Sequence, residues 1–407
     1  MTADKIKIAV ISHALVIPSF QSRWKKLAED DRYDVHLIVP RYWEQTWFGE
    51  KVIYETESKS QDNFHIHALS TIGVSNWTRY LFLSLDMHFK KIDPDIIYIV
   101  HEEMILVHQQ IYFYKSFFCP NAKIIFFSMH ALGVPQEKWH QRLRWNNVKR
   151  NTDAALVHYP GCLKSLKSAG YEKPIYLQTQ VGVDETIFFT SADKRKSMRS
   201  TLKFSDKFVI GYTGRLTDAK GVWELFDAFK RLVVQHPNIV LLLVGNGDLK
   251  NKIEGDAQSY NLQDRVHITG FVDQDKVPDY MNAMDIFVLG SKTTKTWIDT
   301  FPLVTVQAQA CQLPVIATKS GSIPWQLANT ALYFEERNSA DLAEKILMLY
   351  SDGYQRDALI DRGYKRSKSL FCITGMSENF KSILNQVLSG QFIFHKDDEQ
   401  YVQDKAY

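Results

Sequence analysis

The first half of the chain alternates short apolar runs with longer stretches in which apolar residues recur every three or four positions. Short apolar runs bounded by polar turns predict buried strands, and the longer spacing predicts helices that cover them. This alternation is typical of a parallel sheet with helices on both faces. The predicted strands are 5–12, 35–39, 64–69, 96–100, 123–127, 154–158 and 174–178, and the predicted helices include 22–29, 77–91 and 104–118.

The second half repeats this pattern after a polar stretch. Residues 183–206 contain the charge run 193–196, and we interpret them as a solvated linker rather than a binding site. An apolar stripe at helical spacing across 222–233 then predicts an amphipathic helix behind the first strand of the second half. Further strands are predicted at 208–214, 239–244, 266–270, 286–289, 315–317 and 331–334.

The two halves predict an α/β protein of two doubly wound, Rossmann-like domains that face a cleft. A chain of 407 residues is also too long for a single hydrophobic core. We place the domains at 1–185 and 186–371. A C-terminal helix and polar tail at 372–407 follow, and we expect the helix to pack back on the N-terminal domain.

Composition excludes several classes of protein. An apolar content of 45% and a charged content of 23% describe an ordinary globular chain, and a net charge of +3 is too mild to indicate nucleic-acid binding. Four widely spaced cysteines predict reduced thiols rather than disulfides. With no secretory signal and no apolar run of membrane-spanning length, we expect a cytoplasmic protein, and attachment to the inner face of a membrane stays open.

The stretch 297–317 reads as a polar loop, a helix, a turn and a short buried strand. Thr300 or Phe301 is predicted at the helix cap and Pro302 at the first helical position, where its missing N–H costs nothing. The N-terminus of a helix behind a polar loop attracts anions through its free N–H groups and its dipole. We therefore predict that a nucleotide diphosphate binds here, with its sugar beside it.

Two other strand ends carry glycines. Gly214 follows a predicted strand, and Arg215 and Lys220 flank the turn into the next helix, where two cations could neutralise a leaving diphosphate without a metal. The alternative is a surface loop with ordinary basic residues. Gly245 and Asn246 follow the next strand, either so that the backbone approaches a flat ligand or as a plain turn. Neither stretch has the three glycines of a dinucleotide fingerprint, which disfavours a dehydrogenase.

These motifs together resemble glycosyltransferase family 4, the group 1 glycosyl transferases, which have the GT-B fold and retain anomeric configuration. The resemblance covers most of 205–350, and in the first half it is architectural. It implies that Arg215 and Lys220 hold the donor diphosphate and that Val272 lies near the base. It also implies that Val304 packs on the nucleoside. The remaining donor-side residues that it implies, several through backbone N–H groups, are Gly214, Gly245, Asn246, Thr300, Phe301, Pro302 and Leu303.

The chain departs from the family at two positions. In the family, a loop glutamate contacts the sugar and a helix glutamate eight residues later binds the ribose hydroxyls. Here these positions are Asp299 and Gln307. Aspartate is one methylene shorter, and glutamine keeps an acceptor oxygen but loses the charge. A different sugar, a shifted pose or a donor-binding pseudoenzyme are the alternatives.

Candidate residues of the N-terminal domain also follow predicted strands. The family often has a histidine at the strand end where His130 stands, which implies a role next to the transferred sugar. His101 and Glu102 follow the strand 96–100, and His13 follows the first strand in a loop without glycines; we assign all three to the acceptor side. The pair His65 and His67 is interpreted as structural. No metal and no cofactor are expected.

Aromatic and basic residues mix in 77–82 and in 139–150, which indicates either an interfacial surface for lipid-linked acceptors or a core helix with a basic flank. We predict a retaining, metal-independent hexosyltransferase that uses a UDP- or GDP-sugar. Its acceptor would be a saccharide or lipid-linked saccharide, in the biosynthesis of a polysaccharide, glycan or glycolipid. The alternatives are a pseudoenzyme and a nucleotide-sugar epimerase of the same fold.

Overall fold

A computed structural model describes residues 5–47, 50–73, 76, 78–130, 133–295 and 297–391. The chain forms two compact units. One contains the residues up to Val181 together with those from Met376 onward, and the other is Gly182–Gly375. The predicted boundaries after residues 185 and 371 lie within a few residues of these divisions. None of the helices in the described ranges is long and apolar enough to cross a bilayer.

The N-terminal unit is built on a sheet whose described strands run in the order β12-β11-β10-β9-β1-β2-β6-β5. All neighbours are parallel except β5 and β6. Two antiparallel pairs, β3 with β4 and β7 with β8, stand apart. The strands are β1 Ile6–Ile11, β2 Tyr33–Pro40, β3 Tyr42–Trp47, β4 Glu50–Glu55, β5 Lys59–Gln61, β6 Phe64–Leu69, β7 Thr71–Ile72, β8 Leu81–Phe82, β9 Ile96–Ile99, β10 Lys123–Ser128, β11 Ala154–Val157 and β12 Ile175–Leu177. The helices are α1 Ser22–Ala28, α2 Leu85–Ile92, α3 Leu106–Phe118, α4 Trp139–Asn151 and α5 Pro160–Ser168.

Two parts of this unit differ from the prediction. The helix predicted over 77–91 begins only at Leu85, because Ser84 adopts a left-handed backbone (φ +62°) and Leu81–Phe82 pairs with β7 instead. Residue 77 lies outside the described residues. The hairpin of β3 and β4 was not predicted, because its polar and aromatic residues do not form an apolar run.

The C-terminal unit has a six-stranded parallel sheet in its described residues, in the order β15-β14-β13-β16-β17-β18. Strands β14 and β16 are buried along their whole length, as expected for strands covered by helices on both faces. The strands are β13 Phe208–Thr213, β14 Ile239–Val244, β15 Val266–Ile268, β16 Ile286–Leu289, β17 Val315–Thr318 and β18 Ala331–Phe334. The helices are α6 Ala192–Thr201, α7 Val222–Val233, α8 Lys250–Ser259, α9 Val277–Ala283, α10 Leu303–Ala310, α11 Ile323–Leu327, α12 Ser339–Ser351 and α13 Gly353–Arg366. After a π-helical turn at Ser367–Phe371, α14 spans Ile373–Ser389, and its residues from Met376 onward belong to the N-terminal unit.

The predicted linker is partly wrong, because residues 192–201 form helix α6. Ser191 caps this helix by accepting a hydrogen bond from the backbone N–H of Lys194. Arg195 and Arg199 each form an ion pair with Asp285 at 2.5 Å, and Lys194 pairs with Asp279 at 2.8 Å. Two residues of the charge run, Lys194 and Arg195, therefore contact the C-terminal unit, whereas Asp193 and Lys196 are exposed. Sequence alone could not show this, because Asp279 and Asp285 are distant along the chain.

Both sheets reverse their direction of winding at one point. In the N-terminal unit β1 lies between β2 and β9, and in the C-terminal unit β13 lies between β14 and β16. The connections leave such adjacent strands in opposite directions, so a crevice opens at their carboxyl ends, where open α/β sheets bind ligands. The candidate residue Gly214 immediately follows β13, and His13 and His101 lie two residues after the ends of β1 and β9.

Candidate active site

The loop after β13 is held against the end of β16 by a close backbone approach. Gly221 has φ +66°, and a Cβ there would lie 2.0 Å from the carbonyl oxygen of Gly290. The backbone N–H of Lys292 donates to the carbonyl of Ala219 at 2.9 Å. Only glycine combines this backbone conformation with this approach, so Gly221 brings Lys220 next to the β16 end.

Lys292 stabilises the loop after β13 through two ion pairs. Its buried ammonium contacts a carboxylate oxygen of Asp218 at 2.7 Å and one of Glu224 at 2.8 Å. Asp218 belongs to the loop and Glu224 to the first turn of α7. The two carboxylates compensate the charge of the Lys292 ammonium, which would be costly to bury without such partners. Lys292 was not predicted from sequence, because its partners come from a different part of the chain.

Lys220 and Asp299 form a buried ion pair at the same strand ends. Lys220 Nζ lies 2.5 Å from Asp299 Oδ2, and the hydroxyl of Ser291 donates to the same oxygen at 2.6 Å. The ammonium also lies 5.0 Å from the ring centroid of Trp297. The sequence prediction assigned Lys220 to the diphosphate and Asp299 to the sugar. In the structure the two side chains are direct partners, and Asp299 holds the ammonium in place.

The backbone of Asp299 is positioned by the turn after β17. Gly321 has φ +55°, and a Cβ there would lie 2.0 Å from the carbonyl oxygen of Asp299. The same oxygen accepts a hydrogen bond from the N–H of Ser322 at 2.9 Å. The carboxylate of Asp299 is thus fixed from both its main chain and its side chain.

Helix α10 begins one residue later than predicted. Pro302 is the N-cap, with φ −72° and ψ 92°, rather than the first helical residue. Its carbonyl accepts hydrogen bonds from the N–H and the hydroxyl of Thr305, at 3.1 and 2.8 Å. The N–H groups of Leu303 and Val304 therefore stand in the first turn, where helical geometry provides no intrahelical acceptor. The helix ends at Ala310, and Cys311 is its C-cap.

Gln307 is a buried amide in the middle of α10. Only 4% of the residue is exposed. Its amide carries two N–H donor positions and one carbonyl acceptor. Gln307 therefore has the donor and acceptor capacity that a polyhydroxyl ligand requires.

The glycine turns after β13 and β14 touch each other. A Cβ on Gly245 (φ +146°) would lie 1.9 Å from the carbonyl oxygen of Gly214. Asn246 accepts a backbone hydrogen bond from Leu216 at 2.9 Å, and Arg215 accepts one from the hydroxyl of Tyr212 at 2.7 Å. The structure thus brings Gly214, Arg215, Gly245 and Asn246 to one sheet edge. Of the other predicted donor residues, Val272, Phe301, Leu303 and Val304 are half-buried against the core of this unit, and Thr300 lies in the loop before α10.

In the N-terminal unit, His13 and His101 form a stacked pair at the ends of β1 and β9. Their Nδ1 atoms are 3.2 Å apart, and the backbone N–H of His13 donates to His101 Nε2 at 3.3 Å. Burial lowers the pKa of His13 to about 4 and that of His101 well below its usual value, so both rings are neutral at pH 7. Because His101 Nε2 is an acceptor, its proton is on Nδ1. His13 then accepts at Nδ1 and carries its own proton on Nε2.

The hydroxyl of Tyr80 completes this network, 2.5 Å from His101 Nε2. Burial raises the pKa of Tyr80 well above its usual value, so the phenol keeps its proton and donates it. Beside the network is a cavity of about 140 Å³ that takes one wall from the unpredicted β3–β4 hairpin. The cavity is lined by His13, Ala14, Val16, Ile17, Phe20, Trp43, Gln45 and Tyr54.

His130 lies near two carboxylates at the ends of β9 and β10. Its Nε2 is 3.8 Å from an oxygen of Glu102 and 3.8 Å from Oε1 of Glu103. Glu103 is fully buried, and Ser128 donates a hydrogen bond to its Oε1 at 3.2 Å. Burial raises the pKa of Glu103 to about 7, and the nearby His130 opposes this rise. Sequence reasoning named Glu102 and missed Glu103, because nothing in the sequence shows which of two consecutive glutamates faces the interior.

Comparison with known proteins finds a likeness between the C-terminal unit and one family. Residues 193–366 match the family model described as "Glycosyl transferases group 1". The capsular polysaccharide biosynthesis glycosyltransferase CapM of Staphylococcus aureus is 32% identical over 187 residues, which are 45% of this chain and 47% of CapM. This chain spans less than half the length of the first curated relatives that it matches, between 29% and 47%.

Solved structures resemble nearly the whole chain. Sucrose-phosphate synthase from Thermosynechococcus elongatus superposes with a TM-score of 0.68 and 19% identity over 95% of this chain and all of that one. HepE from Anabaena, in complex with UDP, superposes with a TM-score of 0.67 and 17% identity over 94% of this chain and all of that one. This likeness concerns the fold, and it confirms the predicted α/β GT-B fold with two Rossmann-like units. In its segment 193–366, the chain resembles the group 1 glycosyl transferases.

Proposed function

We propose that this protein is a glycosyltransferase that moves a hexosyl unit from a nucleotide-diphosphate sugar to a hydroxyl acceptor with retention of anomeric configuration. The observation that carries the proposal is the buried cluster of Lys220, Asp299 and Ser291 at the switch point of the C-terminal sheet, where α/β sheets bind nucleotides. HepE, which shares the fold, binds UDP. This supports a UDP-sugar as the first donor to test, with a GDP-sugar as the alternative.

The donor diphosphate would lie between the loop after β13, which contains Arg215 and Lys220, and the N-terminus of α10. Lys220 and Arg215 supply positive charge, and the first-turn N–H groups of Leu303 and Val304 supply hydrogen bonds along the helix dipole. As the bond from the sugar C1 to the phosphate oxygen breaks, negative charge develops on the diphosphate. Donors that are already in place stabilise that charge without reorganisation. A metal ion is not required for this role.

The acceptor hydroxyl would attack C1 on the face from which the diphosphate departs. A bond forms between C1 and the acceptor oxygen, and the acceptor proton passes to the departing phosphate oxygen, so that no protein base is needed. Asp299 would position Lys220 and border the sugar, and the amide of Gln307 would bond the ribose hydroxyls. His130, which lies beside Glu102 and Glu103, would contact the transferred sugar.

The cavity beside His13 is proposed as the acceptor site. Trp43 and Tyr54 are opposed in the β3–β4 hairpin and offer apolar ring surface, while Gln45 and the proton on His13 Nε2 offer polar contacts. Flat apolar walls with a few fixed polar groups suit a sugar ring, whose faces are apolar and whose edges carry hydroxyls. This supports a saccharide acceptor.

A lipid-linked acceptor is supported by helix α4. Trp139 and Leu143 are large apolar residues that are mostly exposed, and Arg142 and Arg150 are exposed on the same helix. Exposed aromatic and basic residues on one helix are typical of binding to anionic lipid surfaces. Sedimentation with vesicles of anionic lipid is expected for the wild type and reduced for Trp139→Ala. Equal sedimentation of both proteins would refute this surface.

The proposed activity is tested with UDP-hexoses and GDP-mannose against a panel of saccharide acceptors, measuring nucleotide release and the anomeric configuration of the product. Lys220→Ala should lower kcat about 10²- to 10³-fold, as the loss of a donor to a developing negative charge does. Lys276→Ala, which removes an exposed lysine of the same unit, is the control. Activity should survive EDTA.

Three outcomes would overturn the proposal. Nucleotide release with an altered sugar and no acceptor would indicate an epimerase. Nucleotide binding without turnover of any donor would indicate a pseudoenzyme, the reading that Asp299 and Gln307 keep open. Equal rates for Lys220→Ala and wild type would show that the cluster has no part in transfer.

A further inference from the structure

A second cluster of chemically active side chains lies in the N-terminal unit, apart from the strand ends described above. Strands β2 and β6 are parallel neighbours, with His36 opposite His65 in the register. Side chains two residues apart share a face of a strand, so Asp34 and His36 of β2 share one face with His65 and His67 of β6. Asp34 and His65 stand near the amino ends of their strands, whereas the candidate active site is at the carboxyl ends.

The side chains of this cluster meet at the carboxylate of Asp34. His65 Nε2 lies 2.9 Å from Asp34 Oδ1, and His36 Nε2 lies 3.1 Å from Asp34 Oδ2. One ligand atom from each of the three residues lies within 4.8 Å of the others. In a tetrahedral zinc site with bonds of about 2.0–2.1 Å, ligand atoms are roughly 3.3 Å apart. The three groups are therefore already spaced for a metal ion to enter with little movement.

The hydrogen bonding of His36 supports a cation at this point. His36 Nδ1 lies 3.0 Å from His67 Nε2, so these two nitrogens share one proton. His36 Nε2 is buried and forms no hydrogen bond in the described part of the chain, although it faces a carboxylate oxygen. If His36 donates through Nδ1, its Nε2 carries a lone pair that faces a carboxylate oxygen of Asp34. A cation between the two atoms would remove the repulsion between these lone pairs. Metal-bound histidines commonly donate their other ring nitrogen in this way.

The surroundings allow an ion to reach the cluster. The side chains of His36, Asp34 and His65 keep between 11% and 22% of their surface exposed. His67 stacks on the His36 ring at 5.3 Å and lies edge-on to His88 of α2 at 5.3 Å, which fixes its orientation. Two imidazoles and one carboxylate match the ligand set of zinc sites that keep an open fourth position. Calcium and magnesium, which prefer all-oxygen ligands, are disfavoured.

We propose that Asp34, His36 and His65 form a binding site for a divalent transition-metal ion of the Zn²⁺ class, with His67 orienting His36. The site is separate from the residues assigned to glycosyl transfer. Its ion would join β2 to β6, and water would complete its coordination.

The test is Zn²⁺ titration of the full chain after removal of metals, by calorimetry and by competition with a chromophoric chelator. The wild type should bind one equivalent more than Asp34→Asn or His65→Gln, and Zn²⁺ should raise its Tm but not theirs. His140→Gln, which removes a histidine outside the cluster, should behave as wild type. His67→Gln should keep the site but weaken it about 10- to 100-fold, as loss of a group that orients a metal ligand does.

Substitution of Co²⁺ gives a readout that does not depend on the variants folding. A wild-type chain with a tetrahedral Co²⁺ site should show visible absorption bands, which Zn²⁺ displaces. The proposal is overturned if the wild type shows neither these bands nor binding of Zn²⁺. Equal stoichiometry and equal Tm shifts in all four variants would also overturn it, since binding would then involve other histidines.

Discussion

Glu103→Gln isolates the cost of burying a carboxylate beside His130. Burial raises the pKa of Glu103 from 4.5 to about 7. Between these values the folded state binds a proton that the unfolded state has released, so the free energy of unfolding falls as pH rises. Each unit of pKa difference corresponds to 1.36 kcal/mol, so the wild type should lose about 3 kcal/mol through this group between pH 4.5 and pH 7.5. Glutamine is neutral and close in shape to the protonated acid, and its oxygen can still accept the hydrogen bond from Ser128.

The measurement is calorimetric unfolding of wild type and variant at pH 5, 6, 7 and 8. The variant should be similar to the wild type at pH 5 and more stable by about 3 kcal/mol at pH 8. Glu102→Gln makes the same chemical change one residue away, on a side chain that remains 23% exposed, and is the matched control. If the stability of Glu103→Gln runs parallel to that of the wild type across this range, or if Glu102→Gln gives an equal gain, the reasoning from burial is refuted.

Two further changes test the geometry of the loops after β13 and β16, which hold Lys220 and Asp299 together. Asp299→Asn removes the charged partner of Lys220 and should lower the free energy of unfolding by about 3 kcal/mol in urea titrations, whereas Asp299→Glu, which keeps the charge, should lower it less. Gly221→Ala should lower Tm, because φ +66° and the 2.0 Å approach to a backbone oxygen exclude a Cβ, at a cost above about 1 kcal/mol. Gly255→Ala, in helix α8 with open space around its Cα, should be neutral or slightly stabilising, and a loss equal to that of Gly221→Ala would contradict the argument.

Most elements of the fold are visible in the sequence because their signals are local. Strand β6 has the predicted bounds, and β14 is buried along all six of its residues, as its continuous apolar run predicts. Helix α7 buries the apolar stripe that its periodicity predicts. These predictions are confirmed because the spacing of apolar residues within one segment sets which face of that segment can be buried.

The elements that were missed depend on partners elsewhere in the chain. The sequence of helix α6 predicts a solvated linker, because the ion pairs of Arg195 and Arg199 with Asp285 appear only in the tertiary structure. The β3–β4 hairpin has no apolar run, yet it supplies Trp43, Gln45 and Tyr54 to the cavity beside His13. Neither segment carries a periodic signal strong enough to predict its structure alone.

The sequence by itself determined which residues follow the strands and therefore lie at the carboxyl edges of the two sheets. Only the tertiary structure decided which of them touch. His13 meets His101 because β1 and β9 are neighbours, and Lys220 meets Asp299 because β13 and β16 are neighbours. The physical reason is that hydrophobic periodicity acts over a few residues, whereas strand order follows from packing and crossover connections along the whole unit. The sequence therefore shows the residues of a site that lies across two strand ends, and the order of the strands decides whether those residues come into contact.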